Sequence, residues 1–414
     1  MQLGKYSFGI GDRFARQGEA LLAAIIKAEQ AGVLITPVWN KSFREHQTIK
    51  SQPADTRREA DQAVQALRWQ HDYFVDADHV GLKNIDFFMD YSDFFTLDVA
   101  DFIGQAADAD SISAFVAANE RYIGKLKIPA IDQEFEVSRE QVVKIAAKFL
   151  YAVQEAGRVY RHILSKKEEG SFVVEVSMDE TDEPQSPIEL LFILAAIAGE
   201  GIPARTIAPK FTGRFNKGVD YVGDLAQFTR EFEQDLAVLD FAVAEFSLPS
   251  GLKLSVHSGS DKFSIYGPIK NALKKFDAGV HIKTAGTTWL EEIIGLAMAG
   301  GDGLALAKEI YRKALERYDE LAKPYATVID IHRDELPDPD VVDTWDEETF
   351  ANTLRHDQSC DQYNPSFRQL LHVAYKIAAE MGDDYLRALE KHREIVARNV
   401  TENIFERHIK RLFL

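Results

Sequence analysis

Two short stretches place imidazole and carboxylate groups where chemistry is plausible: Val75–Asp76–Ala77–Asp78–His79 and Leu252–Lys253–Leu254–Ser255–Val256–His257. In the second, Lys253, Ser255 and His257 alternate with apolar residues, so a strand would put all three on one face. Glu175, inside the apolar run Phe172–Met178, shares a face with Ser177 and Asp179 in the same way. Such groups are costly to bury unless they are paired or bind a ligand. His257 and His79 are therefore candidate metal or substrate ligands, and Asp78 a candidate partner. Each also has a plain reading. Glu175 fits as a buried partner of Lys253 or Lys283, and Asp261 as the cap of a following helix. His46, His71, His162, His372, His392 and His408 read as ordinary surface or core residues.

A second kind of chemistry is suggested by the loop Lys210–Lys217. Lys210, Arg214 and Lys217 lie close together, with Gly213 and Gly218 beside them, in a chain whose net charge is −18. Guanidinium forks and glycine-exposed backbone N–H groups suit the capture of a carboxylate, although a solvated basic loop would look the same. The turn Ser258–Lys262 is a second candidate anion cradle. No P-loop, H-E-x-x-H or paired C-x-x-C is present, and Gly9–Ile10–Gly11 lacks the third glycine of a dinucleotide fingerprint.

The elements needed to position these groups follow from the hydropathy pattern. Strands are expected at 8–11, 33–38 (broken around Pro37), 72–76, 93–99, 172–178, 202–209, 252–257 and 279–283. Most are followed by amphipathic segments, including 17–30, 55–69, a short helix from Gly81 to Tyr91, 138–165, 188–199, 225–240 and 287–299. Strand–helix alternation predicts a parallel sheet, and about eight units predict an α/β fold closed as a (β/α)8 barrel; a doubly wound open sheet is the competitor. A barrel's active site lies at the C-terminal ends of its strands, where the groups above fall. After residue 303 the pattern is almost entirely helical, over 304–321, 365–381 and 384–405, with an acidic surface loop at 334–348. The expected division is a barrel domain, 1–303, and a helical extension packed on it, 304–414.

Composition limits the partners. Lys and Arg number 48 against 66 Asp and Glu, and so acidic a chain repels phosphate backbones, which argues against nucleic acid. The single Cys360 allows no internal disulfide. No apolar run approaches the roughly 18 residues of a membrane span, and no signal-peptide pattern opens the chain, so a cytoplasmic location is expected. Nothing in the pattern fixes the assembly state, and a homo-oligomer stays open.

Several stretches together resemble the bacterial tagaturonate epimerase family: Val75–Asp76–Ala77–Asp78–His79–Val80–Gly81–Leu82, Asp93–Phe94–Phe95–Thr96–Leu97–Asp98–Val99–Ala100, Ser177–Met178–Asp179–Glu180–Thr181–Asp182, Ala208–Pro209–Lys210–Phe211–Thr212–Gly213–Arg214–Phe215, Ser255–Val256–His257–Ser258–Gly259–Ser260–Asp261–Lys262, and Leu354–Arg355–His356–Asp357 with Tyr363–Asn364–Pro365. The resemblance implies interconversion of D-tagaturonate and D-fructuronate in galacturonate breakdown, with a divalent metal, an acid/base pair and a keto-uronate substrate. The inverted carbon is β to the ketone, so enolisation cannot invert it, whereas a retro-aldol cleavage and re-addition can. On that basis His79 and His257 are expected as metal ligands, with Asp224 as the third and Asp220 its rival. Imidazole and carboxylate suit Zn, Ni, Mn or Co. Asp78 is the expected base, with Glu180, then Glu175, as the acid. Lys210, Arg214 and Lys262, with Ser258 and Lys283, are expected around the substrate. The rivals are a Schiff-base aldolase using Lys210 or Lys283, a metal-dependent uronate or sugar isomerase, and a non-catalytic sugar-acid binding protein.

Overall fold

The computed structural model describes residues 2–181, 183–284 and 286–414. Eight strands close into a barrel: β1 (Tyr6–Gly9), β2 (Ile35–Ser42), β3 (Phe74–Val80), β4 (Phe94–Asp98), β5 (Val173–Ser177), β6 (Thr206–Ala208), β7 (Lys253–His257) and β8 (Val280–Lys283). Neighbours pair in parallel throughout, and β8 closes on β1 with His281 opposite Ser7 and Lys283 opposite Gly9. The expected barrel is thus the observed fold, and the open sheet is not.

The two-residue period of the strands sorts their side chains into two sets. Ala77, Leu97, Val176, Ile207, Leu254 and Ile282 join the surrounding helices in one large apolar core. The other set fills the barrel in layers. Val38, Phe74, Phe94 and Val173 form a small separate apolar layer. Asp76, Thr96 and Glu175 come next along β3, β4 and β5, joined by Thr206 of β6 and linked by hydrogen bonds from the two threonines to the carboxylates. One more step along the strands brings Asp78, Asp98, His257 and Lys283 to the mouth.

His79 does not obey this period. Pairing of β3 with β4 slips between Ala77 and Val80, and His79 has φ 56°. A bulge of this kind inserts an extra residue and re-aims its side chain; the left-handed conformation is one that histidine tolerates better than most residues. Asp78 and His79, adjacent in sequence, consequently both reach the mouth.

Other elements depart from expectation in ways with local causes. β2 runs straight through Pro37 to Ser42; its ladder with β3 begins only at Val38, so the missing N–H breaks no bond on that side. The strand expected at 202–209 is only Thr206–Ala208, and the helix expected from Gly81 to Tyr91 is one turn, Ile85–Phe88. Between β4 and β5 lie a helix, Ala109–Ala118, a hairpin of Gly124–Leu126 with Phe135–Val137, and the long helix Arg139–Leu164, which starts where Ser138 Oγ accepts from Gln141 N. The 334–348 stretch is not all loop, since Asp338 caps a short helix, Pro339–Asp343.

The helix after β8, Gly286–Met298, is buried along nearly its whole length, because the C-terminal helices cover its outer side. Gly295 permits the closest approach: a Cβ there would stand 2.7 Å from Val396 Cα. The carboxylate of Glu291 accepts from Asn399 and Asn403, and that of Glu292 from Tyr385 and Gln17. Apolar residues of the barrel helices and of the C-terminal helices share the same core. Among the described residues, no helix is long and apolar enough to cross a membrane.

Candidate active site

At the barrel mouth, His79, Asp179 and His257 each offer a ligand atom within 4.8 Å of the others. His257 Nδ1 lies 3.2 Å from Asp179 Oδ1, and His79 Nδ1 lies 3.4 Å from Asp98 Oδ2. Both Nδ1 atoms are buried and, among the described residues, without a hydrogen-bond partner. The far side of the His257 ring is anchored: its Nε2 is 2.7 Å from Oε1 of the fully buried Glu175. Ser177 Oγ donates to Asp179 at 2.6 Å. Two imidazoles and a carboxylate within reach of one another, one ring being fixed from behind by a second carboxylate, form a donor set that fits a borderline divalent cation.

The electrostatics agree with that fit. Burial by itself would lower both imidazoles. Asp78, Asp98 and Asp179 outweigh it and raise His79 to about 10, while Asp179 and Glu175 raise His257 to about 9. Burial would raise Asp179, but the two imidazoles hold it well below its usual range. The cluster is thus a place where positive charge is strongly favoured.

Beneath it, Lys283 Nζ contacts three carboxylates, Asp76 at 2.8 Å, Asp78 at 2.9 Å and Glu175 at 3.0 Å. Burial disfavours the ammonium, yet the three anions hold it well above its ordinary range. An amine so firmly protonated is a poor nucleophile for an imine. Burial would raise Asp78, but Lys283, His79 and His257 keep it well below the usual carboxylate range. Asp76, deeper in the barrel, is pushed up to about 7, by burial first and then by Asp78 and Glu175, with Lys283 opposing.

These groups open into a cleft of about 320 Å³. Its wall is cationic, made by Arg13, Arg44 and Lys217, with Glu180, Tyr325 and His372 beside them. Arg13 is buried with its guanidinium over the Tyr375 ring at 4.3 Å; Nε is 3.1 Å from Glu45, and Nη1 has no hydrogen-bond partner. Arg44 stacks over Tyr325 at 5.0 Å and pairs with no carboxylate among the described residues. Burial draws the Lys217 ammonium down from its usual range. A second chamber of about 480 Å³ adjoins the first and adds Lys210 and Arg214.

Several expected residues fall elsewhere. Asp224 is not with the histidines. It caps the helix Leu225–Phe246, accepting from Ala226 N and Gln227 N on an exposed edge. Asp220 is likewise engaged, by Ser264 N and Oγ. Asp179 occupies the position expected of them. Glu175, expected as a candidate acid, lies beneath the mouth and orients His257. Lys262 is fully buried behind the β7 loop, where Nζ donates to Ser260 Oγ at 3.0 Å, and Ser258 Oγ donates to Lys283 O at 2.7 Å; neither lines the cleft. Lys283 reaches the cleft but is taken up by carboxylates. Lys210 and Arg214 line the outer chamber only, with Arg214 3.2 Å from Asp330. Asp78, His79, Glu180 and His257 do line the cleft.

Asp261 is not a helix cap. Its carboxylate is fully buried and accepts from Arg368 Nη2 at 2.8 Å and Thr287 Oγ1 at 2.9 Å, and it lies 3.0 Å from His408 Nε2 and 3.2 Å from His356 Nδ1. Three segments of the C-terminal region therefore converge on the loop that follows His257.

Comparison with known proteins bears on this geometry. A family model described as tagaturonate epimerase matches residues 1–412. The chain belongs to the tagaturonate epimerase family. A tagaturonate/fructuronate epimerase of Thermotoga maritima is 27% identical over 418 residues, covering 97% of this chain and 80% of that protein. In fold, the chain is similar to the fructuronate-tagaturonate epimerase of Cohnella laeviribosi. The crystal structure with one glycerol gives TM-score 0.79 at 23% identity, over 98% of this chain and 81% of that one. The native crystal structure gives 0.77 over the same shares. The chain is thus an epimerase-family (β/α)8 barrel with added C-terminal helices.

Proposed function

We propose that the chain interconverts D-tagaturonate and D-fructuronate, with a divalent cation held by His79, Asp179 and His257. Family membership supports the substrate pair. The observation that carries the metal reading is the convergence of His79, Asp179 and His257, whose ligand atoms lie within 4.8 Å of one another. The donor set suits Zn, Ni, Mn or Co. When bound, such a cation supplies a Lewis acid for the ketone oxygen and the neighbouring hydroxyl.

The protein's own groups account for the rest. Arg13, Arg44 and Lys217 hold the substrate carboxylate through guanidinium forks and a point charge. In a retro-aldol route the β-hydroxyl loses its proton, the carbon–carbon bond opens to an aldehyde and the enolate of the ketone fragment, the aldehyde turns, the enolate adds back to its other face, and the new alkoxide is protonated. Two proton carriers are needed, and Glu180 and Asp78 are the cleft carboxylates that serve. Glu180 makes no ion pair or hydrogen bond among the described residues, so its carboxylate is open to the substrate. Asp78 is held as a carboxylate by Lys283, His79 and His257. This arrangement keeps the roles expected from the sequence, Asp78 taking the proton and Glu180 returning one. It also disfavours the Schiff-base reading at Lys283, whose amine is locked as an ammonium. The activity would serve galacturonate breakdown in the cytoplasm.

The test is NMR of D-tagaturonate with the protein in heavy water, with and without a chelator. Fructuronate formed only with metal, and without deuterium at the inverted carbon, is expected. Deuterium at that carbon would remove the retro-aldol route, and no fructuronate with any of the four metals would overturn the function.

A further inference from the structure

His372 lies on the C-terminal helix Pro365–Val373, far in sequence from every barrel strand, yet it lines the cleft. It is 2% exposed. The ring is wedged against the start of the helix after β8: a Cβ on Gly286 would stand 2.3 Å from His372 Cε1 and 2.8 Å from Nε2. Only a glycine at this position leaves room for the imidazole, and a Cβ there would also stand 2.3 Å from Gly259 O. Nδ1 is buried without a partner among the described residues. The ring makes no hydrogen bond through either nitrogen among the described residues. A buried polar ring left unpaired carries a free-energy cost that a ligand group can relieve.

The surroundings define that ligand group. Burial first, then Arg13, Lys217, Arg368 and Lys262, keep the ring well below its usual range. With no anion among those neighbours, the ring holds one N–H and one lone pair. It cannot serve as another cation for the carboxylate, a task Arg13 and Lys217 already cover. What it offers is a hydrogen bond to a neutral hydroxyl beside the carboxylate.

We propose that His372 is a specificity-determining residue of the cleft, whose imidazole hydrogen-bonds a hydroxyl of the bound sugar acid. The proposal rests on the reading that the cleft takes a polyhydroxy carboxylate, and it makes the C-terminal helices part of the substrate site. A site built to pair a hydroxyl penalises ligands lacking it, by roughly five- to hundredfold for one unpaired buried group.

The probes are D-galactonate, a hydroxylated carboxylate without the ketone, and hexanoate, a carboxylate without hydroxyls. Their binding is measured by calorimetry on the intact protein, wild type, His372→Gln and His372→Phe. Wild type should favour galactonate. His372→Phe should lower the galactonate-over-hexanoate ratio about fivefold or more, while His372→Gln, which keeps a donor and an acceptor, should retain most of it. In turnover of D-tagaturonate, the Phe variant should raise KM more than it lowers kcat. An unchanged ratio in the Phe variant, an equal loss in both variants, or no galactonate binding by wild type overturns the proposal. If galactonate binds as expected but tagaturonate is never converted, the epimerase reading fails while this one stands.

Discussion

Replacing Lys283 with Met removes one ammonium from among three carboxylates at 2.8, 2.9 and 3.0 Å. Met fills similar space, so the loss is mainly one of charge. Breaking a buried ion pair from one side costs about 3–5 kcal/mol. With an unfolding entropy of about 2.1 cal/mol/K per residue, a chain of 414 residues loses roughly one degree of Tm per 0.9 kcal/mol, so the deficit is about 3–6 °C. The sign with pH follows from the shifts. In the wild type, Asp78 and Glu175 are held below their ordinary range, so the stability they contribute is present above that range and fades as pH falls. Without Lys283 the carboxylates are buried without their cation and their proton affinity rises above that of the unfolded chain. The folded variant then takes up protons, and its penalty, absent at low pH, grows as pH rises. Thermal melts of metal-free protein, in chelator, at pH 5 and pH 8 measure this. The deficit should at least halve at pH 5. Equal deficits at the two pH values, or none, would refute the account of Lys283 as the counter-ion of this layer.

Four other outcomes are expected. Asp179→Ala should lose bound metal after dialysis, whereas Asp224→Ala should keep it and lose only about 1 kcal/mol of helix-cap stability; metal analysis and melts separate the two, and the opposite pattern would return Asp224 to the site. Glu175→Gln should weaken metal binding about 10–100-fold, read by competition with a chromophoric chelator, because the support behind His257 is weakened. Because His79 and His257 are raised to about 10 and about 9 in the metal-free protein, protons compete with the cation: affinity should rise with pH across 6–9, and calorimetry in buffers of different ionisation enthalpy should find protons released. Borohydride added with substrate should leave the mass of the protein unchanged, Lys283 being held as an ammonium and Lys217 serving to hold the carboxylate; a covalent adduct would favour the aldolase.

Much of the barrel was legible because parallel strands leave short apolar runs, and most expected strands lie within a few residues of the observed ones. The shared face of Lys253, Ser255 and His257 was also legible, since a strand's period is invariant. The same rule already put Asp179 on the face of Glu175 and Ser177, whereas Asp224, expected as the third ligand, proves to be a helix cap. The bulge at His79 could not be read, because it depends on the register with β4. Arg13 and Arg44 follow β1 and β2 in segments with no basic clustering, while the conspicuous cluster Lys210–Lys217 contributes only Lys217 to the inner cleft. Tyr325 and His372 come from helices whose pattern reports packing alone.

The knot of contacts on Asp261 has a temporal meaning. A ribosome delivers the chain from its N-terminus, and all eight strands have been made once Lys283 is added. The three imidazole and carboxylate ligands are then present, while His372 is yet to be made, as are Arg368 and His408, which pin the loop after His257. The groups that would hold a metal ion thus leave the ribosome before the residues that fix their loop and complete the cleft, so the site can be finished only after the last helices have docked.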